Sequence, residues 1–176
     1  MKVYTKASHS LGYDVFLLCK EDSKNQLNLS EFTQPALMTT SLAIYEVVKK
    51  YIKAEALCGL SLGEYSAMAA AQYWKIEDAV QIASKRAQLM QSALAEGSVS
   101  MVAVLGLATN QITTICKQFN PEKIGITNYN APGQIVVGGY VDEVIQATKL
   151  FKEAGAKRVI EIPMSIISHS PILKEV

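Results

Sequence analysis

The segment Gly59-Leu60-Ser61-Leu62-Gly63 constrains the fold of this chain more than any other, because it places a serine between two glycines. A short apolar segment, residues 54–58, precedes it, and an alanine-rich segment of helical character follows it. Glycines at this spacing let the backbone turn sharply from a strand into a helix, while the seryl oxygen points outward beside the first helical N–H groups. The motif therefore predicts a nucleophile elbow in an α/β fold, with Ser61 as the candidate nucleophile.

Charge and hydrophobicity exclude several classes of protein. The chain has 176 residues with 17 basic and 16 acidic side chains, so its net charge of +1 indicates neither a nucleic-acid-binding face nor an acidic tail. No apolar run reaches the roughly 18 residues of a membrane span, and no signal peptide opens the sequence. We therefore expect a cytoplasmic protein that binds neither nucleic acid nor a membrane.

The three cysteines, Cys19, Cys58 and Cys116, are odd in number and far apart in the sequence. They form no CxxC pair and no cluster with the two histidines, which argues against a disulfide framework and against a metal site. Cys58 falls in the predicted strand before the elbow. We expect it to be a small buried residue rather than a nucleophile.

The helix predicted from Glu77 to about Leu94 holds the clearest sign of a buried charge. Lys85 falls on the polar face of this helix, whereas Arg86 falls in its apolar stripe. The stripe comprises positions 79, 82, 83, 86, 89 and 90. An arginine that faces inward needs a partner, because such groups are almost never buried unpaired. Helix geometry leaves two partners open, a carboxylate of the protein or an anionic ligand.

The remaining pattern divides the chain into two parts. The first part has helices predicted at residues 36–50 and 62–72, after a polar, loop-like segment at residues 20–31. From Ser98 the pattern predicts strands at 101–107, 123–128, 134–138 and 157–162, and helices at 110–119 and 141–154. This βαββαβ order is that of the ferredoxin-like split unit. We expect a ferredoxin-like subdomain over residues 98–163, inserted into an α/β core with a parallel sheet that residues 1–97 and 164–176 form.

A serine hydroxyl needs a base to take its proton, and histidine is the usual base near neutral pH. The chain offers His9 and His169. His169 lies in a segment that returns from the last predicted strand, where a loop side chain could face the elbow; a surface or capping role is the alternative. The backbone N–H of Leu62, directly after the serine, is a candidate oxyanion donor, or it only opens the following helix.

Several motifs together carry a resemblance to a known family. The chain resembles the malonyl-CoA:acyl carrier protein transacylases of type II fatty acid synthesis and the related acyltransferase domains of polyketide synthases. The matching stretches, which follow the order and spacing of the family, are Gln34-Pro-Ala-Leu37, Gly59-Leu-Ser-Leu-Gly-Glu-Tyr-Ser66, Arg86 with Leu89-Met90, Met101-Val-Ala-Val-Leu-Gly-Leu107, Asn128-Tyr-Asn-Ala-Pro-Gly-Gln134, Ala154-Gly-Ala-Lys157 and Ser168-His-Ser170.

The resemblance implies a reaction and roles for individual residues. Ser61 would attack the thioester of malonyl-CoA with His169 as base, and the phosphopantetheine thiol of acyl carrier protein would then take the malonyl group. Arg86 matches the arginine that grips the malonyl carboxylate, and a guanidinium fork fits a carboxylate bidentately. Three more polar residues match positions that line the pocket of the family: Gln34, Asn128 and Asn130. Turn formation is the alternative for both asparagines. Neither a cofactor nor a metal is required.

The chain departs from the family pattern at three places. Leucine stands at position 60, where the family usually has histidine. The sequence begins after the Gly-Gln-Gly-Ser-Gln loop of the family, and it ends shortly after His169, before the strands that finish the sheet. The resemblance thus covers the middle of the enzyme. We expect the chain alone to be weakly active or inactive, and a complementary chain to supply the other segments.

Two rival functions remain open at this stage. An ordinary serine hydrolase would prefer neutral esters and would need an acidic residue between Ser61 and His169, where Asp78 and Asp142 are available. A non-catalytic fragment would bind acyl carrier protein or a partner subunit without acyl transfer. A charged acyl group would depend on Arg86, whereas a neutral ester would not.

Overall fold

The computed structural model describes residues 1–95, 97–163 and 166–173, which divide into two compact units, Met1–Gln88 and Leu89–Val176. Part of the predicted core segment 164–176 therefore lies outside the described residues. The described residues form seven α-helices and four strands. No helix among them is long and apolar enough to cross a membrane.

The first unit is built from helices. Their bounds are α1 Lys2–Leu11, α2 Val15–Glu21, α3 Ser30–Val48, α4 Leu62–Ala70 and α5 Ile76–Ser92, the last of which continues into the second unit. Gly12 ends α1 with a left-handed conformation, φ 79°, that glycine adopts without steric cost. The carboxylate of Asp14 then starts α2 by accepting a hydrogen bond from the N–H of Leu17 at 2.9 Å. This short helix was not anticipated by the apolar pattern.

Helix α3 begins at Ser30, before the predicted start at position 36. Pro35 therefore lies inside the helix, although it has no N–H to donate to the carbonyl one turn earlier. The first turn is tied down by the hydroxyl of Thr33, which donates to the carbonyl of Leu29 at 2.9 Å. The buried face of α3 packs into the core of this unit, which includes Ala7, Val15, Met38, Leu42, Leu62, Val80 and Ala83.

The strand predicted at residues 54–58 is not observed, and this prediction was wrong. These residues are exposed and belong to no strand. Cys58 is consequently exposed rather than buried, which corrects the expectation from the sequence. A strand exists only when a neighbouring strand completes its hydrogen-bond ladder, and no described residue pairs with this segment. The described residues contain no parallel strand pair either, so the expected parallel sheet is not confirmed.

The second unit holds an antiparallel four-stranded sheet with two helices. Its elements are β1 Val99–Leu105, α6 Thr109–Cys116, β2 Ile124–Ala131, β3 Gln134–Tyr140, α7 Val141–Glu153 and β4 Arg158–Glu161. The strands lie in the order β2-β3-β1-β4. The register pairs Val102 with Val137 between β1 and β3, and Ala103 with Ile160 between β1 and β4. Helix α7 contacts β1, β3 and β4.

Side chains alternate between the two faces of this sheet, as the strand period requires. One face packs with α6 and α7 in a core that includes Val102, Val104, Ile112, Ile135, Val137 and Phe151. The opposite face packs with Ile167, through Val99, Met101 and Val136. Ile167 thereby attaches the segment that carries His169 to the sheet. Gly138 on β3 leaves the space for this contact, since a Cβ there would lie 3.1 Å from Ile167 Cδ1.

The core of the second unit depends on Phe151, which is fully buried between α7 and the sheet. We expect Phe151→Ala to lower the free energy of unfolding by about 3–5 kcal/mol, because it removes buried apolar surface and leaves a cavity. The measurement is urea unfolding followed by circular dichroism. Ile145→Ala on the same helix is the matched control, because Ile145 is 51% exposed, and it should change stability by only about 0.5 kcal/mol. Equal effects of the two changes would contradict the packing described.

Candidate active site

Ser61 lies at the sharp turn that starts α4, in a conformation that residues other than glycine rarely adopt. Its φ is 55° and its ψ is −115°, outside the helical and extended regions. Such backbone strain costs on the order of 1–3 kcal/mol and is concentrated at functional sites. Gly59 makes the turn possible, because a Cβ at that position would overlap the backbone carbonyl of Gly63. The elbow geometry is thus present although the strand that was predicted to lead into it is not.

The first turn of α4 offers a backbone donor beside the serine. Gly63 N–H donates to the carbonyl of Leu60 at 2.8 Å, and Glu64 N–H donates to the carbonyl of Ser61 at 3.1 Å. The N–H of Leu62 meets no acceptor in the part of the chain that the structure describes. Free N–H groups at a helix start carry partial positive charge, so this one suits a developing oxyanion.

Arg86 projects from α5 to the elbow serine. Its Nη2 donates a hydrogen bond to Ser61 Oγ at 3.0 Å, and its Nη1 donates to Gln34 Oε1 at 2.6 Å. The guanidinium carbon also lies 5.4 Å from the centre of the Tyr65 ring, within the range of a cation–π interaction. The structure therefore brings together three of the residues predicted for the site, Ser61, Arg86 and Gln34.

The partners of Arg86 in this arrangement are electrically neutral. Each ion pair found among the described residues involves a lysine, and Arg86 is in none of them. Of the two alternatives that the helix pattern left open, a protein carboxylate is thus not found within residues 1–95, 97–163 and 166–173. Its charge is solvated by an amide oxygen, a hydroxyl and an aromatic face, and a planar cation so placed suits an anionic ligand.

Gln34 is itself held by a buried hydroxyl. It is 8% exposed, and its Nε2 donates to the Oγ of Ser30, which is 6% exposed, at 2.8 Å. Both residues lie on α3 with a spacing of i, i+4, so they occupy one helix face. Ser30 and Tyr65 were missed in the sequence analysis. The spacing of Ser30 and Gln34 is the signal that could have identified the first of them.

The two predicted pocket asparagines lie in the second unit, on β2. Asn128 is half-buried, and its Oδ1 accepts a hydrogen bond from Thr127 Oγ1 at 3.0 Å. Asn130 is exposed near the end of the strand. Turn formation, the alternative role, does not apply to either, because the turn itself lies at positions 132–133, where Gly133 has φ 73°. Irregular register between β2 and β3 occurs on both sides of Asn128.

His169, the predicted base, also lies in the second unit. It is exposed and has φ 55°, a second non-glycine residue in the left-handed region that belongs to the predicted site. Its neighbours on either side are fixed, since Ile167 is in the core of the unit and Ser170 is buried. The imidazole is therefore presented on an anchored turn. His9, the other histidine, lies exposed in the last turn of α1.

The three cysteines differ in their exposure to solvent, and Cys116 is the partly buried one. Burial raises the pKa of Cys116 to about 11, so that its thiol stays protonated near neutral pH. Cys19 and Cys58 are exposed. No group of three His, Cys, Asp or Glu side chains suited to a metal ion is found among the residues that the structure describes.

Comparison with known proteins identifies the family. The sequence pattern of the acyl transferase domain matches residues 6–176. The chain belongs to the acyl transferase domain family. This acyl transferase chain is 39% identical over 178 residues to the malonyl CoA-acyl carrier protein transacylase of Haemophilus influenzae, and 38% identical over 176 residues to that of Escherichia coli K12. These matches include 99% and 98% of the chain, which spans about 57% of the length of each relative.

Solved structures of the same family share the fold of this acyl transferase chain. An acyl carrier protein S-malonyltransferase from Vibrio cholerae matches 99% of the chain with a TM-score of 0.90 at 36% identity, and the match covers 58% of that protein. A malonyl-transacylase in complex with its type II polyketide acyl carrier protein matches 94% of the chain with a TM-score of 0.88, also at 36% identity, and the match covers 54% of that protein.

The elbow provides a direct test with two glycines of one motif. We expect Gly59→Ala to lower the free energy of unfolding by about 1–3 kcal/mol or more, because the new Cβ would collide with the Gly63 backbone. Gly63→Ala is the matched control, since no atom lies within 4 Å of a Cβ at that helical position, and alanine should stabilise the helix by up to about 1 kcal/mol. Thermal unfolding of both variants measures the difference. A Gly59→Ala variant as stable as the Gly63→Ala variant would show that the turn is not formed as described.

Proposed function

We propose that this acyl transferase chain carries the central part of an enzyme that transfers a malonyl group from CoA to acyl carrier protein through a seryl ester. One observation carries the proposal: the guanidinium of Arg86 lies 3.0 Å from Ser61 Oγ and has neutral partners among the described residues. An acyl group on Ser61 that ends in a carboxylate would reach this cation. The relatives named malonyl CoA-acyl carrier protein transacylase support the same substrate.

The proposed reaction consists of two successive acyl-transfer steps. Ser61 Oγ attacks the thioester carbonyl while His169 takes the hydroxyl proton, and the collapse of the oxyanion expels the CoA thiolate, which takes that proton back. The phosphopantetheine thiol of acyl carrier protein then attacks the malonyl-seryl ester and restores Ser61. The N–H of Leu62 stabilises each oxyanion. Each step of the proposed reaction breaks one acyl bond and forms another, so the proposed reaction needs neither a cofactor nor a metal. The proposed substrates are water-soluble, which suits the cytoplasm expected from the sequence.

Arg86 sets the acyl selectivity in this proposal. It binds the malonyl carboxylate through two parallel N–H···O bonds, with Gln34 holding one side of the guanidinium. Asn128 and Asn130 are proposed to line the acyl pocket. A neutral acyl group would leave the cation without its counter-charge. The site therefore favours acyl groups with a terminal carboxylate.

We further propose how the two units correspond to the domains expected from the sequence. The sheet of the second unit, with its two helices, would be the ferredoxin-like subdomain over residues 98–163, and residues 1–97 and 164–176 would belong to the α/β core. Residues 54–59 line an open groove of about 570 Å³ together with residues of α4, and they have no strand partner among the described residues. Strands from a complementary segment or chain would complete a parallel sheet there, and full activity would require them.

Transfer of label tests the proposed reaction. A chimera in which this chain replaces the matching 57% of the Haemophilus influenzae relative should acquire radiolabel from malonyl-CoA at Ser61 and pass it to acyl carrier protein. Ser61→Ala in the chimera should abolish the label. A folded chimera that takes up no label would contradict the proposed function.

Acyl selectivity separates malonyl transfer from the hydrolase alternative. In the same chimera, Arg86→Ala should lower kcat/KM for malonyl-CoA by about 10²-fold or more, because two charge-assisted hydrogen bonds are lost. Hydrolysis of a neutral p-nitrophenyl ester should change little. Lys85→Ala is the matched control, since it removes an equal charge from the exposed face of the same helix. Equal losses on both substrates with Arg86→Ala would favour a structural role for this residue over carboxylate binding.

A further inference from the structure

An aromatic ring lies against the guanidinium of Arg86 at the elbow. Tyr65 follows Ser61 by four residues, about one turn along α4, and its ring centre is 5.4 Å from the guanidinium carbon. The helix that begins at the elbow therefore carries this ring as well. The guanidinium thus contacts two side chains at the start of α4, the hydroxyl of Ser61 at 3.0 Å and the ring of Tyr65.

Packing supports the ring of Tyr65. Its centre is 5.9 Å from the centre of the Trp74 ring, and the two ring planes are tilted by 38°. Both rings are partly buried and pack against the core of the first unit. Aromatic pairs at this separation stabilise each other beyond the area that they bury. The position of the Tyr65 ring is therefore set by the core and by Trp74 as well as by α4.

A ring face and a hydrogen-bond acceptor hold a guanidinium in different ways. The ring attracts the cation through the negative charge of its face, and this contact uses none of the five N–H donors of the guanidinium. Gln34 Oε1 and Ser61 Oγ each accept a hydrogen bond from it, at 2.6 and 3.0 Å. A carboxylate that binds to Arg86 needs donors, so it would compete with such acceptors but not with the ring.

This difference matters most in the proposed seryl ester. There Ser61 Oγ would be an ester oxygen, which is a weaker acceptor than a hydroxyl, and the acyl carboxylate would take N–H donors of Arg86. The contact with Tyr65 is compatible with both states, because it requires no donor. The ring is therefore suited to keep the cation beside the elbow while its donors change partners.

We infer that Tyr65 is a positioning residue whose ring holds the guanidinium of Arg86 beside Ser61 Oγ and leaves its N–H donors for an anionic acyl group. The role belongs to the face of the ring and not to the phenol hydroxyl. The inference deepens the proposed function, on which its catalytic meaning rests. The placement of the charge itself is a property of the chain and can be measured without substrate.

A thiol at position 61 reports whether the charge is in place. In a Cys58→Ala background, Ser61→Cys places one thiol beside the guanidinium, and a nearby cation lowers a thiol pKa by favouring the thiolate. The pH dependence of iodoacetamide alkylation, followed by mass spectrometry of the peptide that contains position 61, gives this pKa. Glu64, exposed in the first turn of α4, and the helix start also act on the thiol, but they are the same in every variant.

The expected results separate the ring face from the size of the side chain. Arg86→Met should raise the thiol pKa by about one unit or more, which measures the effect of the cation. Tyr65→Leu should raise it by about half a unit, because the cation then lies beside the thiol for less of the time. Tyr65→Phe, which keeps the ring face, should leave it low. Tyr65→pentafluorophenylalanine keeps the ring shape but reverses the charge of its face, so it should act as Tyr65→Leu does. This variant keeps the test valid if Tyr65→Leu does not fold.

Two controls show whether Tyr65 acts through the cation. In the Arg86→Met background, Tyr65→Leu should leave the thiol pKa unchanged, whereas a direct effect of the ring on the solvation of the thiol would persist there. Tyr13→Leu removes another partly buried ring that packs against the same core, where it contacts the Phe32 ring with centres 5.4 Å apart. It should also leave the thiol pKa unchanged.

The inference is overturned if Tyr65→Phe raises the thiol pKa as much as Tyr65→Leu does, or if the pentafluorinated ring leaves it low. It is equally overturned if Tyr65→Leu has the same effect without Arg86, if Tyr13→Leu matches it, or if Arg86→Met has no effect. The titration uses neither malonyl-CoA nor acyl carrier protein, so failure of malonyl transfer in the chimera would be distinguishable from failure here.

Discussion

The guanidinium of Arg86 carries a full positive charge, and the described residues give it an amide oxygen, a hydroxyl and an aromatic ring as partners, but no carboxylate. Such a cation is stable only because polar neutral groups replace part of its hydration, and it remains available to an anion. The other described residues of the site are arranged around this one charge. Gln34 orients it, and the elbow serine lies at hydrogen-bond distance from it. The proposed preference for a carboxylate-ended acyl group follows from that arrangement.

The elbow would supply the nucleophile of the proposed reaction, and its formation costs local backbone strain. Ser61 has φ 55° and ψ −115°, and the turn around it closes so tightly that only glycine fits at position 59. The hydroxyl lies at hydrogen-bond distance from the cation, and the next backbone N–H, that of Leu62, meets no acceptor among the described residues. His169 also has a positive φ, 55°, and Ile167 attaches the segment that carries it to the sheet.

Sequence reasoning succeeded where a local pattern determines the structure. The i, i+3, i+4 stripe placed Arg86 on the inner side of α5, and the elbow motif predicted the turn at Ser61 correctly. It failed where structure depends on residues distant in the sequence. Residues 54–58 read as a strand by composition, but a strand needs a neighbour that no described residue provides. The hydrogen-bond partners of Arg86 come from other elements, Gln34 from α3 at a distance of 52 residues and Ser61 from the elbow at 25 residues, and no local period contains that information.

The central claim is that Arg86 is free to bind the carboxylate of an acyl group, and its side-chain NMR signal tests this most directly. The chain contains two arginines, Arg86 and Arg158, so the two Nε–H signals can be assigned by one substitution, and exposed Arg158 is an internal reference. Malonamate carries one carboxylate and one amide, as a malonyl thioester carries one carboxylate and one thioester. Titration with malonamate should shift the Arg86 signal, whereas titration with neutral acetamide should not. An Arg86 signal that does not respond to malonamate, or that shifts no more than that of Arg158, would contradict the account.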